Sequence, residues 1–297
     1  MATRIAWLLN FDADFELREP ARYRPRVLSP QLRAALRARI AELIGPDDCV
    51  LGDDPSALAS EFTALAFCPT PSACARIAQQ GLTPPIAPSL AVLRAVNDRA
   101  FCAELGHGLA HACFVRDMAS LEQHLARAPG TASYVLKRAF SFAGRGQRRM
   151  RAGELDVSSR GFCARSFARG EGIQVEPWVE RVLDVSKHGY LTQSGAVFSG
   201  PSRTQRVDGQ GRYLGVHQAP SPLRAAEEQQ LCDELDKTGA ALHRAGYFGP
   251  FGIDGFRYRH AGQAEAFNPR CEINARFTLG YPRALLVEAL ATHPASR

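Results

Sequence analysis

Near its C-terminal end the chain places carboxylates where a strand ought to be apolar. In GPFGIDGFRYR, residues 249–259, Asp254 interrupts an otherwise hydrophobic strand-like run. A carboxylate is rarely buried unless it is paired or holds a cation. Downstream, in RCEINARFT, Glu272 and Asn274 are two residues apart, so on a strand both face the same way. If these two strands are neighbours, two carboxylates and an amide meet. That all-oxygen set suits a hard cation such as magnesium bridged to phosphates. Arg276 continues along the same face and suits a phosphate or a substrate carboxylate. The connection between the strands is long and contains a turn-like His260-Ala261-Gly262-Gln263, so Glu265 is a second candidate for the partner of Glu272.

A cation site of this kind needs phosphate-binding groups nearby, and one segment offers them. SYVLKRAFSFAGRG is a β-rich run that delivers Lys137, followed by a loop with Gly144, Arg145 and Gly146. Lysine is rare in this arginine-rich chain, occurring only at 137, 187 and 237. At a strand end it is a point charge for phosphate oxygens. Glycines let backbone N–H groups close on the same oxygens. Taken alone, the segment reads equally well as a strand ending in a basic surface loop. A third segment, IQVEPWVERVLDVS, ends an apolar strand at Glu176. Trp178 and Val179 follow with backbone groups for an adenine edge, and Asp184 lies where ribose hydroxyls would need an acceptor. Alone, it reads as a hairpin with exposed carboxylates.

The rest of the chain supplies the frame. Residues 4–11 form a buried-strand run, and Ser29-Pro30 opens a helix whose apolar positions recur from Leu32 to Leu43, up to Gly45. Short strands at 49–51 and 64–67 alternate with helices at 56–61 and 72–80, the pattern of a parallel sheet. No GxGxxG follows the first strand, so a dinucleotide site is not indicated. Three prolines between Thr83 and Pro88 mark a boundary. From there the spacing predicts a helical stretch to Leu105, a strand near 112–116, a helix at 119–127, a strand at 133–140 and a loop over 141–150. Beyond Gly172 strands dominate, at 173–178, 182–187, 196–198, 251–258 and 270–274, interrupted by a long helix at 225–245.

Composition removes several classes. No apolar run reaches the roughly 18–20 residues of a membrane span, and the apolar N-terminus runs into acidic residues rather than a cleavage site, which points to the cytoplasm. The eight cysteines include no CxxC pair and read as free thiols. His107 and His111 are four apart but have no acidic partner nearby, so they do not point to a metal. The net charge of +6 is spread along the chain without interleaved aromatics, which argues against nucleic acid.

Read in order, NDRAF, VLKRAFSFAGRG, VEPWVE, GIDGF and EINARFT resemble the ATP-grasp superfamily, in its carboxylate–amine ligase type, from about Asn97 to the C-terminus. The resemblance implies an α/β fold, α+β in the ATP-grasp part. An N-terminal α/β domain (1–88) precedes two ATP-grasp subdomains (89–170 and 171–297) with ATP between them. It implies that Lys137 and Arg99 contact ATP phosphates and that the loop with Gly144, Arg145 and Gly146 closes over them. Arg99 stands where relatives usually carry lysine. The adenine and ribose would meet Glu176, Trp178, Val179 and Asp184. Asp254, Glu272 and Asn274 would hold one or two Mg2+ ions, Mn2+ being an alternative. Lys137 and Arg276 would be catalytic. The implied reaction is ADP-forming ligation of a small acid, such as an amino acid, to an amine, and a homodimer is open. A carboxylase or kinase on the same fold, or a nucleotide-binding protein without turnover, are the alternatives.

Overall fold

Period-2 alternation in the C-terminal half and strand–helix alternation in the N-terminal third produce three separate sheets in the computed structural model. It describes residues 4–25, 29–52, 62–106, 108–127, 133–141, 146–151, 155–209, 213–217, 221–259 and 264–292. The first unit runs β1 (Ile5–Leu8), α1 (Ala13–Arg18), α2 (Pro30–Arg39), β2 (Cys49–Val50), β3 (Thr63–Ala66) and α3 (Pro71–Gln79). Its strands are all parallel, in the order β2-β1-β3, and β1 is buried throughout. The Ser29 hydroxyl caps α2 by accepting from the Leu32 N–H at 3.2 Å, and Pro30 opens the helix. The helix ends at Arg39 rather than near Gly45. Ile40 and Leu43 are buried all the same, in successive turns, so the spacing reported burial and not helix length. The helix expected at 56–61 lies outside the described residues.

Next come α4 (Leu90–Asn97), α5 (Arg99–Glu104), β4 (Cys113–Val115), α6 (Met118–Ala126), β5 (Ser133–Arg138), β6 (Gln147–Arg151) and α7 (Val157–Phe167). The expected single helix to Leu105 is two: Asp98 is extended and caps α5, accepting from the Ala100 N–H at 2.8 Å. With β7 (Ile173–Pro177) these strands form an antiparallel sheet in the order β4-β7-β5-β6. The loop expected over 141–150 is thereby corrected. From Gln147 onward the chain is strand β6, paired to β5 with Lys137 opposite Gln147. A strand whose residues are mostly charged carries no apolar alternation; only Met150 points into the core.

The third unit holds β8 (Glu180–Leu191), β9 (Val197–Ser199), β10 (Arg203–Val207), β11 (Tyr213–Val216), α8 (Ala225–Arg244), β12 (Gly249–Arg259), β13 (Ala266–Asn274) and α9 (Arg283–Thr292). Its antiparallel sheet has the order β11-β10-β8-β12-β13, with β9 on β8. One face is apolar: Val185, Leu191, Phe251, Ile253 and Ile273 pack with Leu231, Leu235 and Leu242 of α8. The intervening residues, among them Asp184, Ser186, His188, Asp254 and Glu272, fall on the opposite face. Burying the first set fixes the register, and the register lines up the second.

Candidate active site

The opposite face of the large sheet and the four-stranded sheet enclose a cavity of about 410 Å³. Arg99, Lys137, Glu176, Trp178, Val179, Asp184, Asp254, Glu272, Asn274 and Arg276 all line it. Gly144 and Arg145 lie outside the described residues. Gly146 is described but does not line the cavity. It takes the turn into β6 at φ 72, a conformation suited to glycine, and its carbonyl accepts from the Arg138 N–H at 3.0 Å.

On the four-stranded side, Lys137 and Glu176 form a buried ion pair at 2.6 Å. The strand pairing puts Val135 opposite Glu176, so the two side chains meet across adjacent strands. Trp178 donates its N–H to the Ser133 carbonyl at 2.7 Å. That amide completes the sheet and is not open to an adenine. The Trp178 ring lies under the Arg149 guanidinium, 4.2 Å away. Asp184 is held by Arg181 at 2.8 Å.

On the six-stranded side, Asp254 and Glu272 are directly opposite each other across β12 and β13. Asp254 accepts from Asn274 Nδ2 at 3.0 Å and from Gln205 Nε2 at 2.6 Å. Glu272 pairs with Arg99 at 2.9 Å. Arg99 also donates to Ser141 Oγ and to the Arg138 carbonyl, which ties this wall to the end of β5. Burial opposes the Arg99 charge, and Glu272 outweighs that and raises its pKa. Glu265 is elsewhere, bound by Arg224 and Arg259. Arg276 lies 3.7 Å from Asp14 of α1, so the N-terminal unit reaches the same cavity edge.

The two carboxylates differ in charge balance. Burial, then the neighbouring Glu272 charge, push the Asp254 carboxyl up to about 7. For Glu272 burial acts upward too, but Arg99 and Lys137 overcome it and hold its pKa below the usual value. Among the described residues no three His, Cys, Asp or Glu side chains gather as a metal cluster. The set is instead two carboxylates and the Asn274 amide. Its donor chemistry, two carboxylates and an amide oxygen, fits a hard divalent cation.

The cavity residues that were not anticipated include Ser186, His188 and Tyr213. The signal for the first two was present, because Asp184, Ser186 and His188 alternate along VLDVSKHG. Tyr213 stands on β11, a strand that sequence reasoning missed with β10.

No family model matches the chain, and no curated protein matches it. Solved structures do. The D-alanyl-alanine synthetase A of Vibrio cholerae superposes with a TM-score of 0.58 at 11% identity, covering 100% of both chains. The biotin carboxylase of Campylobacter jejuni gives 0.57 at 13% identity, over 96% of this chain and 67% of its own. The pyruvate carboxylase of Rhizobium etli gives 0.56 at 14% identity over 98% of this chain, which spans only 27% of that much longer protein. A likeness this long, across a chain whose motifs run in the order described above, settles the architecture: the protein has the ATP-grasp fold.

Proposed function

We propose that the protein is an ATP- and magnesium-dependent ligase that activates a carboxylate as an acyl phosphate and joins it to an amine, with ADP as the other product. The observation that carries this is one cavity bounded on one side by the buried Lys137–Glu176 pair and on the other by Asp254, Glu272 and Asn274. Within this proposal residues 1–88 form the N-terminal domain, 89–170 the small ATP-grasp subdomain and 171–297 the C-terminal one.

Lys137 and Arg99 present fixed positive charge to phosphate oxygens, and the rim of Glu176, Trp178 and Val179 receives the base. Asp254, Glu272 and Asn274 would hold one or two Mg2+ ions. When bound, magnesium would supply positive charge against the phosphate groups. Arg276 then orients the acid and stabilises the charge that shifts onto the transferred group. The acid's carboxylate oxygen bonds to the γ-phosphorus and ADP leaves; the amine attacks the acyl carbon and phosphate leaves. No covalent nucleophile is required, so the residues act through positioning and electrostatics.

A carboxylate labelled with heavy oxygen should yield singly labelled phosphate on mass spectrometry. Label in AMP would overturn the acyl-phosphate route. A carboxylase is the second reading, favoured by the likeness to biotin carboxylase. ADP release with bicarbonate and no organic acid would select it.

A further inference from the structure

Beyond the groups assigned to ATP and the cation, the cavity holds three polar atoms with nothing to bind. Ser186 Oγ, His188 Nδ1 and Tyr213 Oη are buried and have no hydrogen-bond partner among the described residues. All three residues line the 410 Å³ cavity, and Ser186 and His188 are each only 1% exposed. Buried polar groups are almost always paired, so a cluster of unpaired ones in a cavity wall points to an absent partner.

Their placement is set by the sheet. Ser186 lies opposite Asp254 and His188 opposite Gly252. Gly252 is what admits the imidazole, because a Cβ there would sit 2.9 Å from His188 Cδ2 and 3.2 Å from Thr278 Cγ2. Thr278 Oγ1 lies 2.8 Å from His188 Nε2 and fixes the ring, leaving Nδ1 as the open nitrogen. Directly paired residues are roughly 5 Å apart and alternate residues on a strand roughly 7 Å. An acid oriented by Arg276 beside Asp254 would therefore put its third or fourth carbon against Ser186 and His188.

The chemistry of the row is neutral. Burial, aided by the charges of Arg203 and Lys187, lowers the His188 pKa to about 3, so the ring is uncharged. Hydroxyls of serine and tyrosine donate or accept, and a neutral imidazole nitrogen does one or the other. A hydroxyl or carboxamide can satisfy such a set, a methyl cannot, and an ammonium can only donate.

We infer that Ser186, His188 and Tyr213 form a specificity subsite for a hydroxyl or carboxamide carried on the third or fourth carbon of the acid substrate. The inference rests on the ligase function proposed above and narrows its substrate to polar, uncharged-tail acids.

The test uses the full chain with Mg·ATP and matched acids: 3-hydroxypropanoate, succinamate, butanoate and 3-aminopropanoate, then the series one carbon longer. Hydroxylamine traps the product of activation. The acid oxygen displaces ADP from the γ-phosphorus, then the hydroxylamine nitrogen displaces phosphate from the acyl carbon and releases a proton, giving a hydroxamate read by mass spectrometry. The hydroxyl or carboxamide acid should exceed its methyl counterpart at least ~100-fold in kcat/KM, since a site with unpaired polar groups rejects the analogue lacking the polar group. Tyr213→Phe and Ser186→Ala, which keep the shape of the site, should each shrink that ratio ~10-fold; a merely structural loss would lower both acids alike. Saturation-transfer NMR of the same acids with Mg·ADP reads the preference without turnover. Turnover with equal use of methyl or ammonium acids, or a preference unchanged in both variants, overturns the subsite and leaves the ligase standing. Polar preference in binding that the variants abolish, without hydroxamate from any acid, sustains the subsite and overturns the ligase. No binding of any acid overturns both.

Discussion

The two walls of the cavity solve the problem of buried charge differently. On the four-stranded wall Lys137 and Glu176 neutralise each other at 2.6 Å, and the Trp178 amide is already taken by the sheet. That wall is complete without a ligand. On the six-stranded wall Asp254 and Glu272 face each other, Asp254 is driven toward neutrality, and three polar atoms lack partners. That wall is unfinished. The contrast teaches that the first wall is stabilised by the residues lining it, whereas the second is held in place by the apolar face behind it. Val185, Phe251, Ile253 and α8 supply enough buried area to hold a polar face that weakens the fold.

The largest expected effect breaks the complete wall. Lys137→Ala leaves the Glu176 carboxylate buried without its counter-charge, and such a loss amounts to about 3–5 kcal/mol of stability. Lys187→Ala is the control. Lys187 also has a carboxylate partner, Glu228 at 3.0 Å, but Glu228 is 39% exposed and water can replace the lysine. Urea unfolding should therefore show a loss at Lys187 well below that at Lys137. In ATP turnover Lys137→Ala should again be the worse variant. Equal losses at both sites would show that the Lys137–Glu176 pair is not the organising contact of its wall.

The opposite sign is expected on the unfinished wall. The Asp254 carboxyl titrates at about 7 in the folded chain against an ordinary 3.8. Between those values the folded protein holds a proton that the unfolded chain has released, so this contribution is fully present below about pH 3.8 and is lost as pH rises through about 7. Asp254→Asn removes the penalty. Without nucleotide or cation, the variant should be more stable than wild type by about 2–4 kcal/mol at pH 8, and the gap should close as pH falls toward 4. His188, lowered to about 3 from 6.5, has the reverse pH dependence, with stability falling on acidification, but it cancels in the difference between variant and wild type. Added Mg·ADP should stabilise wild type more than the variant. A variant less stable than wild type at pH 8 would mean that Asp254 is structurally satisfied.

These differences explain what the sequence could reveal. Asp254 was legible because it stands in an apolar strand, and Glu272 with Asn274 because a strand's period of two is strict. Burial of the alternate residues forced the register that brings them together. Lys137 stood out through the scarcity of lysine, though no spacing announced its ion pair with Glu176. The elements that went unseen lack periodic contrast. β6 is mostly basic, β10 is short and polar, β11 is only four residues long, and α7 mixes serines, a glycine and arginines, so no apolar stripe announces it. The Asp14–Arg276 contact spans more than 260 positions and depends on how the N-terminal unit packs, which no local pattern encodes.

Glu272→Gln probes the unfinished wall with a smaller effect. It keeps the shape of the side chain but removes one of the two anionic donors and weakens the hold on Arg99. Affinity for ATP in magnesium should fall roughly 10–100-fold, about 1.4–2.7 kcal/mol, with little change in metal-free buffer. Calorimetric titration with and without magnesium separates the two components. A uniform loss in both buffers would move the cation away from Glu272.

The smallest effect returns to the complete wall, at its rim. Arg149 lies on β6 with its guanidinium 4.2 Å from the Trp178 ring centroid. The contact joins the β5–β6 hairpin to the segment after β7, and both partners are at least partly exposed. A cation–π contact of that kind contributes about 0.5–1 kcal/mol. Arg149→Ala should lower stability by no more than that, and Arg149→Lys should restore part of it, since an ammonium still meets the ring face but lacks the planar stacking of a guanidinium. Because the contact borders the proposed base-binding rim, ATP affinity should fall by a factor of about 2–5. If that wall is organised around the buried Lys137–Glu176 pair, its rim can be trimmed at this small cost. A stability loss at Arg149 matching the one at Lys137 would mean that the hairpin, held from outside by arginine, is what keeps the wall closed, and the contrast between the two walls would fail.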